Sequence, residues 1–446
     1  MKRYPAYRPS GVEWLGEVPE GWEVQYLKRL CHVFPSNVDK HTHPEEIPVR
    51  LCNYTDVYYN DRIDSSLEFM AASATQDEID KFALRVGDVI FTKDSETADD
   101  IGIAAIVAEE LPGVICGYHL SIARPNADVD GRYVKAFFDS AAAKAHFEVS
   151  ANGLTRVGLG QYAIDNLPIP FPPLPEQQAI ARFLDREVAK LDDLVAEQRR
   201  LIALLAEKRQ AVISHAVTRG LNPTAPLKPS GIDWLGDIPE GWEVVRLANV
   251  FRDVAEPGND DLPILSVSIH TGVSDDELAE EDLDRKVTRS DDKSKYVTVR
   301  PGDLTYNMMR AWQGGFGAVK VMGMVSPAYV VARPIDAEQV QTEFIELLLR
   351  TQNAVSEMKR HSRGVTDFRL RLYWEEFRTI SVALPSKAEQ VEILKAIEEQ
   401  TQKFDSLTAA ATSAIDLLQE RRAALISAAV TGKIDVRHAL PEQEPA

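Results

Sequence analysis

One segment occurs twice in this chain, and that repeat constrains the fold more than any other feature. Residues 9–24 read PSGVEWLGEVPEGWEV and residues 229–244 read PSGIDWLGDIPEGWEV; twelve of sixteen positions are identical and the other four are Val/Ile or Glu/Asp exchanges. A second pair lies downstream, LLAEKRQAVISHAVT (204–218) against LLQERRAALISAAVT (417–431). Between these anchors the copies agree only in outline. LRVGDVIFTK (84–93) resembles VRPGDLTYNMMR (299–310), SIARP (121–125) resembles VVARP (330–334), and GLTRVGLGQY (153–162) stands where GVTDFRLRLY (364–373) stands. Two copies are too few for a solenoid, and each takes roughly half of 446 residues, enough for a domain plus a helix. The chain is a tandem duplication whose ends stayed alike while its middles diverged.

Each copy breaks at a proline boundary. The five prolines of LPIPFPPLPEQQ (167–178) forbid a continuous helix through it, and a helical pattern starts at Glu176. Leu184, Leu191, Gln198, Leu205 and Val212 are seven apart, with Val188, Val195 and Ile202 interleaved, which is a heptad seam. After Pro385 the pattern returns at Ile397, Phe404, Ala411, Leu418 and Leu425. Each helix predicts a rod of ~65 Å. Two long helices with one narrow apolar seam each most simply pack together as an antiparallel coiled coil; the alternative is two separate surface helices. The regions before them, 24–173 and 244–385, mix short β-branched runs (VGDVIFTK, GVICGYHLSIA, DLTYNMM, YVVARP) with helical stretches at 132–147 and 342–358. The expected fold is α+β, with small twisted sheets in two tandem domains. Symmetry places the N-terminal segment against the end of the second helix, as the second copy's opening follows the end of the first. The matched Trp14, Trp22, Trp234 and Trp242 are expected in the core.

Composition removes several functions. Fifty Lys+Arg against 69 Asp+Glu leave a net charge of −19, which argues against coating nucleic acid or acidic membrane non-specifically. Three separated cysteines, Cys31, Cys52 and Cys116, make neither a disulfide scaffold nor a cysteine zinc site. The opening MKRYPAYRPSG has no apolar core for a signal peptide, and no stretch approaches a membrane span, so a soluble cytoplasmic protein is expected. No phosphate loop, HExxH, GxSxG elbow or amino-methylating Asn/Asp-Pro-Pro-aromatic sequence is present. GGFG (314–317) reads as a turn, Asp284–Arg285–Lys286 as part of an acidic loop, and His41 and His43 lack partners to complete a metal site. No cofactor, metal or catalytic centre is expected.

Local charge points elsewhere. Lys359 to Arg371 (KRHSRGVTDFRLR) holds five basic residues and one acid, and the equivalent 141–162 stretch carries Lys144, His146 and Arg156 with little acid. Basic loops in an acidic protein suit local phosphate and base contact.

Taken together, PEGWEVQYL (19–27), PEGWEVVRL (239–247), the Gly-Asp strand, LPIPFPPLPEQQ before a long helix and the AVT ending resemble the specificity subunit of type I restriction-modification systems. The resemblance covers both halves; the second departs where LPSKAEQ replaces LPPLPEQ and where Thr401, Thr408 and Ala411 enter the heptad. It implies target-recognition domains at 1–173 and 221–385, spacer helices at 174–220 and 386–435, and a flexible tail at 436–446. It implies a non-catalytic subunit in which each domain reads one half of a bipartite double-stranded DNA target. The helices set the half-site spacing and dock two methyltransferase subunits, with restriction (translocase) subunits joining through the complex. The reading residues are then expected in the diverged middles: Lys93, Thr155 and Arg156 in the first half, and Arg310, Gln313, Arg363, Thr366 and Arg369 in the second. Arg suits guanine and Gln suits adenine. The competing reading is a coiled-coil scaffold carrying two protein-binding domains.

Overall fold

The computed structural model describes residues 2–259, 261–278, 293–364 and 370–439. The chain divides into two compact units, Met1–Arg199 with Ala411–Ala446, and Arg200–Ala410.

In the first unit a five-stranded sheet runs, in spatial order, Cys31–Pro35, Leu120–Pro125, Val89–Thr92, Ala104–Val107 and Arg62–Ile63. Its pairs are antiparallel except the last, which is parallel. The central strand Val-Ile-Phe-Thr is buried along its whole length because both faces of the sheet are covered. Side chains alternate between those faces. Val89, Phe91 and Ala123 join one core with Tyr133, Phe137 and Phe138, while Ile90, Ile122 and Val107 join another with Leu51 and Ile115. The second unit repeats the order with Phe251–Asp253, Tyr329–Pro334, Leu304–Asn307 and Phe316–Ala318, all antiparallel.

The repeated openings and proline boundaries meet in space. Glu23–Tyr26 pairs antiparallel with Pro168–Phe171, and Glu243–Arg246 with Ser381–Leu384. Just beyond, the long helices begin, Leu174–Arg219 and Lys387–Val430. The first turns are pinned by buried glutamines at matched places. The Gln177 amide donates to Pro172 O (2.8 Å) and accepts from Asp130 N (2.9 Å). The Gln390 amide donates to Pro385 O (2.9 Å) and accepts from Gln341 N (2.7 Å).

The heptad seam is buried or half-buried within each unit. In the first, Ile180 and Leu184 share a core with Ile426 and Val430, and farther along Asp192 accepts from Arg422 at 3.1 Å, so the helices run antiparallel. In the second, Ala216 and Val217 share a core with Ile393 and Ile397, and Arg209 bonds Asp405. Leu191, Leu205, Phe404 and Ala411 are buried. Thr401 is buried too, its hydroxyl donating to Glu398 O at 3.1 Å.

The helix ends close each unit in the same way. Trp22 and Trp242 are each 1% exposed. Gly432 (φ 69°), after the second helix, lies so close to the first opening that an added Cβ would stand 2.4 Å from Pro19 Cδ and 3.3 Å from the Trp22 ring. A Cβ added to Gly220 (φ 75°), after the first helix, would stand 3.6 Å from the Trp242 ring and 3.9 Å from Pro239 Cγ. Both glycines supply the left-handed residue that ends a helix. Tyr7 Oη donates to Gly432 O at 3.0 Å, which fixes the N-terminal segment on the second helix end as symmetry requires.

Two expectations need correction. Trp14 is 44% exposed and Trp234 only half-buried, because each sits on the turn before the buried Leu15 or Leu235 rather than under a helix end. The described part of the expected flexible tail, residues 436–439, is docked: Val436 is buried, and Ala439 O accepts from Arg186 at 3.0 Å.

The copies also invert one charge pair. Lys135 and Asp139 pair at 2.8 Å on the helix Gly131–Phe138 and its cap. At the matched positions stand Glu346 and Arg350, paired at 3.3 Å. Lys135 also bonds Asp61, whereas Glu346 accepts from Ala318 N at 2.8 Å and Arg350 donates to Phe316 O at 2.7 Å.

Candidate nucleic-acid interface

The Gly-Asp and Ala-Arg-Pro motifs of each copy turn out to be two halves of one lock. Asp88, 1% exposed on its side chain, accepts from Arg124 Nε at 2.9 Å and Nη2 at 2.7 Å, while its Oδ2 also accepts from Arg85 N at 2.9 Å. Asp303 repeats this with Arg333 (2.8 and 2.9 Å) and Arg300 N (2.9 Å). A bidentate, charge-assisted pair fixes both position and angle. It anchors the start of the central strand against its neighbour, and so sets where that strand's far end emerges. Of the candidate residues, Lys93, Thr155, Arg156, Arg310, Gln313 and Arg363 stand at or near that end.

In the first unit, Lys93 follows the central strand and is half-buried. Its N–H donates to His119 O (3.1 Å) and its carbonyl accepts from Leu159 N (2.8 Å). Next to it, Asp94–Ser95 pairs with Val157–Leu159, which pairs with Ala151–Asn152. This small sheet brings Thr155 and Arg156, both exposed in the turn 153–156, to the same place as Lys93. Residues not singled out in the sequence complete the cluster. Asp94 bonds His119 Nδ1 at 2.6 Å. Tyr54 and Tyr58 stack with ring centroids 5.5 Å apart, and Tyr58 Oη donates to Asp100 at 2.7 Å. Burial raises the Tyr54 hydroxyl above its ordinary range, and Ser95 and Arg156 beside it work against that rise. The four-residue spacing of Tyr54 and Tyr58 was a readable helical signal; nothing in the sequence placed it beside Lys93.

In the second unit, Arg310 and Gln313 lie on the turn after Leu304–Asn307, Arg310 half-buried and Gln313 exposed. The turn is tight: Gln313 N and Gly315 N both donate to Arg310 O. Trp312 carries Lys359 over its ring at 5.4 Å. Leu372 N donates to Met308 O at 2.9 Å, and Arg363 and Arg371 exchange two backbone bonds, so Arg363 reaches this neighbourhood. Its guanidinium is ion-paired with Glu376, a restraint the charge count did not show. Thr366 and Arg369 lie outside the described residues, as does Asp284–Arg285–Lys286.

Among the described residues no group of three or more His, Cys, Asp or Glu is placed to hold a metal; His41 is exposed beside Asp39 at 3.3 Å. The three cysteines are free and buried. Among the described residues no helix is long and apolar enough to cross a membrane.

Comparison with known proteins agrees with this architecture. A family profile described as the type I restriction modification DNA specificity domain matches residues 19–202. The chain is 27% identical over 237 residues to the putative type I restriction enzyme MjaX specificity subunit of Methanocaldococcus jannaschii, a match spanning 53% of this chain and about half (54%) of that relative. It is 21% identical to the MjaVIII specificity subunit of the same organism over 94% of this chain and 95% of the relative. The crystal structure of the HsdS subunit from Thermoanaerobacter tengcongensis shares the fold with a TM-score of 0.52 and 17% identity, over 94% of this chain and 98% of that one. By sequence the chain is thus similar to type I restriction enzyme specificity subunits, through the profile over residues 19–202 and through relatives that span up to 94% of it.

Proposed function

We propose that this chain reads DNA for a type I restriction-modification complex and carries no catalysis of its own. Residues 1–173 and 221–385 are its two target-recognition domains, each taking one half of a bipartite duplex target. Residues 174–220 and 386–435 form the spacer, which sets the gap between half-sites and docks two methyltransferase subunits; 436–446 follow as the C-terminal segment. Restriction subunits join through the complex, and the assembly works in the cytoplasm.

One observation carries this reading. The two units repeat the same strand order, the same Asp–Arg lock and the same helix-end closure, yet differ at the central strand's end, where Lys93 and Arg156 stand in one and Arg310 and Gln313 in the other. A scaffold kept constant under a variable basic edge suits two readers of different sequences. We assign DNA contact to Lys93, Thr155, Arg156, Arg310, Gln313 and Arg363 at that edge, and to Thr366 and Arg369 by their place in the basic sequence stretch 359–371. A chain of net charge −19 is expected to bind DNA weakly alone and to rely on partner subunits for much of the positive surface.

The test is the genomic methylation motif in cells carrying the chain with its methyltransferase partner. The expected motif is bipartite, and exchanging residues 24–173 for the matching region of a relative changes one half only. Both halves changing together would overturn the two-reader assignment. Tight sequence-specific binding by the isolated chain at physiological salt would overturn the dependence on partners.

A further inference from the structure

Among the described residues, His119 is the one non-glycine residue with positive φ (72°). Such a backbone is costly for an L-residue, and an observed outlier of this kind points towards a use for the side chain. The residue before it, Tyr118, is 45% exposed, and the two rings lie 3.7 Å apart between centroids. His119 is itself half-buried, with Nδ1 tied to Asp94 at 2.6 Å, so Nε2 is the ring nitrogen left for a ligand. Lys93 N donates to the His119 carbonyl, and Arg156 lies across the small sheet that contains Asp94. At the matched positions of the second copy, counted from the Gly-Asp and Ala-Arg-Pro motifs, stand Met308 for Lys93, Met309 for Asp94 and Ala328 for His119. The imidazole–carboxylate pair therefore belongs to the first unit alone, at the place where the copies differ while their frames agree.

We propose that His119, oriented by Asp94, is a specificity-determining residue of the first domain that contacts a base edge in the half-site it reads, with Tyr54 and Tyr58 walling the same site. This deepens, and rests on, the DNA-reading function proposed above. A carboxylate at this edge repels phosphate, so its place beside Lys93 and Arg156 fits orientation of the imidazole towards a base better than backbone attraction. In the tautomer that donates Nδ1–H to Asp94, Nε2 is an acceptor; the matching base groups are the exocyclic amines of adenine and cytosine.

The test uses the full chain assembled with its methyltransferase partner. Wild type, His119→Gly, Asp94→Asn and Arg310→Ala are compared for the methylated motif in cells, and for methylation rate on duplexes altered at single positions of either half-site. Glycine accepts the left-handed backbone freely, so His119→Gly should hold or raise the melting temperature. It should nevertheless lose ~10-fold or more of base discrimination at one or two adjacent positions of one half-site, with the other half unchanged. Asp94→Asn should weaken discrimination at the same positions, and Arg310→Ala should act on the other half. A His119→Gly complex that melts like wild type and keeps both half-sites at full discrimination overturns the proposal. A lower melting temperature with uniform loss at both halves also overturns it, showing a structural residue. Absence of sequence-specific methylation by the wild-type complex would fail the DNA-reading function itself, and this inference with it.

Discussion

Arg422, on the second long helix, donates to Asp61 of the globular part at 2.8 Å and to Asp192 of the first long helix at 3.1 Å. Asp61 in turn bonds Lys135, so one guanidinium links a helix pair to the sheet-covering helix through a shared carboxylate. The matched Arg209 pairs with the matched Asp405 and, among the described residues, with no second carboxylate, so the extra link belongs to the first copy.

That link has a pH signature. Burial alone would raise the Asp61 carboxyl; Lys135 and Arg422 outweigh it and hold it below the usual carboxylate range. A group depressed in the folded state contributes stability above its unfolded value of ~3.9 and loses it as pH falls through the folded value. Asp61→Asn should therefore lower the melting temperature at pH 7, and the difference from wild type should shrink towards zero as pH falls below ~4. A difference constant from pH 7 to 3 would contradict the ion-pair account.

The helix ends make a steric prediction. A Cβ on Gly432 would meet Pro19 Cδ at 2.4 Å, whereas on Gly220 the nearest atom is Glu389 Oε1 at 3.4 Å. Both positions have positive φ, so Ala at either should cost on the order of 1–2 kcal/mol. Gly432→Ala should exceed Gly220→Ala clearly, because Pro19 must move. Denaturant midpoints of the two variants decide it; equal shifts would mean that the first opening yields without strain.

The matched tryptophans separate in the same assay. Trp22→Ala should cost ~3–5 kcal/mol as a buried large-to-small change, and Trp14→Ala well under ~1 kcal/mol. Equal losses would place Trp14 in a core that the fold denies it.

Breaking the lock should be costly and local. Asp88→Ala leaves the Arg124 guanidinium, 18% exposed, without its carboxylate, for an expected loss of ~3–5 kcal/mol. Methylation should then fail through the half-site read by the first domain. Asp303→Ala should act through the other half; the two variants failing at the same half-site would sink the pairing of lock with reader.

The proposed spacer role of the long helices makes a prediction about length. Removing seven residues from both long helices in register keeps the heptad and shortens each by ~10 Å. Both half-site sequences should survive while the gap between them contracts; four residues removed from one helix should disrupt assembly. An unchanged gap in the motif of the paired deletion would show that the helices do not measure it.

The duplication, the two helices and their seam were legible because they are written locally, in spacing and period. Strand order was not, since Val89–Thr92 pairs with residues 104–107 and 120–125 through contacts that no window of sequence contains. The Asp88–Arg124 lock lay between: Gly-Asp and Ala-Arg-Pro were each visible twice, and their joint recurrence was a signal that they meet. Trp14 and Trp22 recur equally well, so recurrence could not say which was buried. His119 was illegible because a left-handed backbone at a non-glycine residue leaves no compositional mark.

The inverted pair at Lys135–Asp139 and Glu346–Arg350 limits how such a gene can be recombined. A crossover inside this helix that put Glu at 135 would set a carboxylate against Asp61 and Asp139, and one that put Lys at 346 would face it with Arg350. Breakpoints in the nearly identical segments 9–24 and 229–244 carry each pair whole, together with the groups that neutralise it. Chimaeric chains joined there should express as folded protein, and chains joined within 131–139 or 342–350 should not. The duplication thus holds its own splice sites, at the places where the two copies are interchangeable both as amino-acid sequence and as packing.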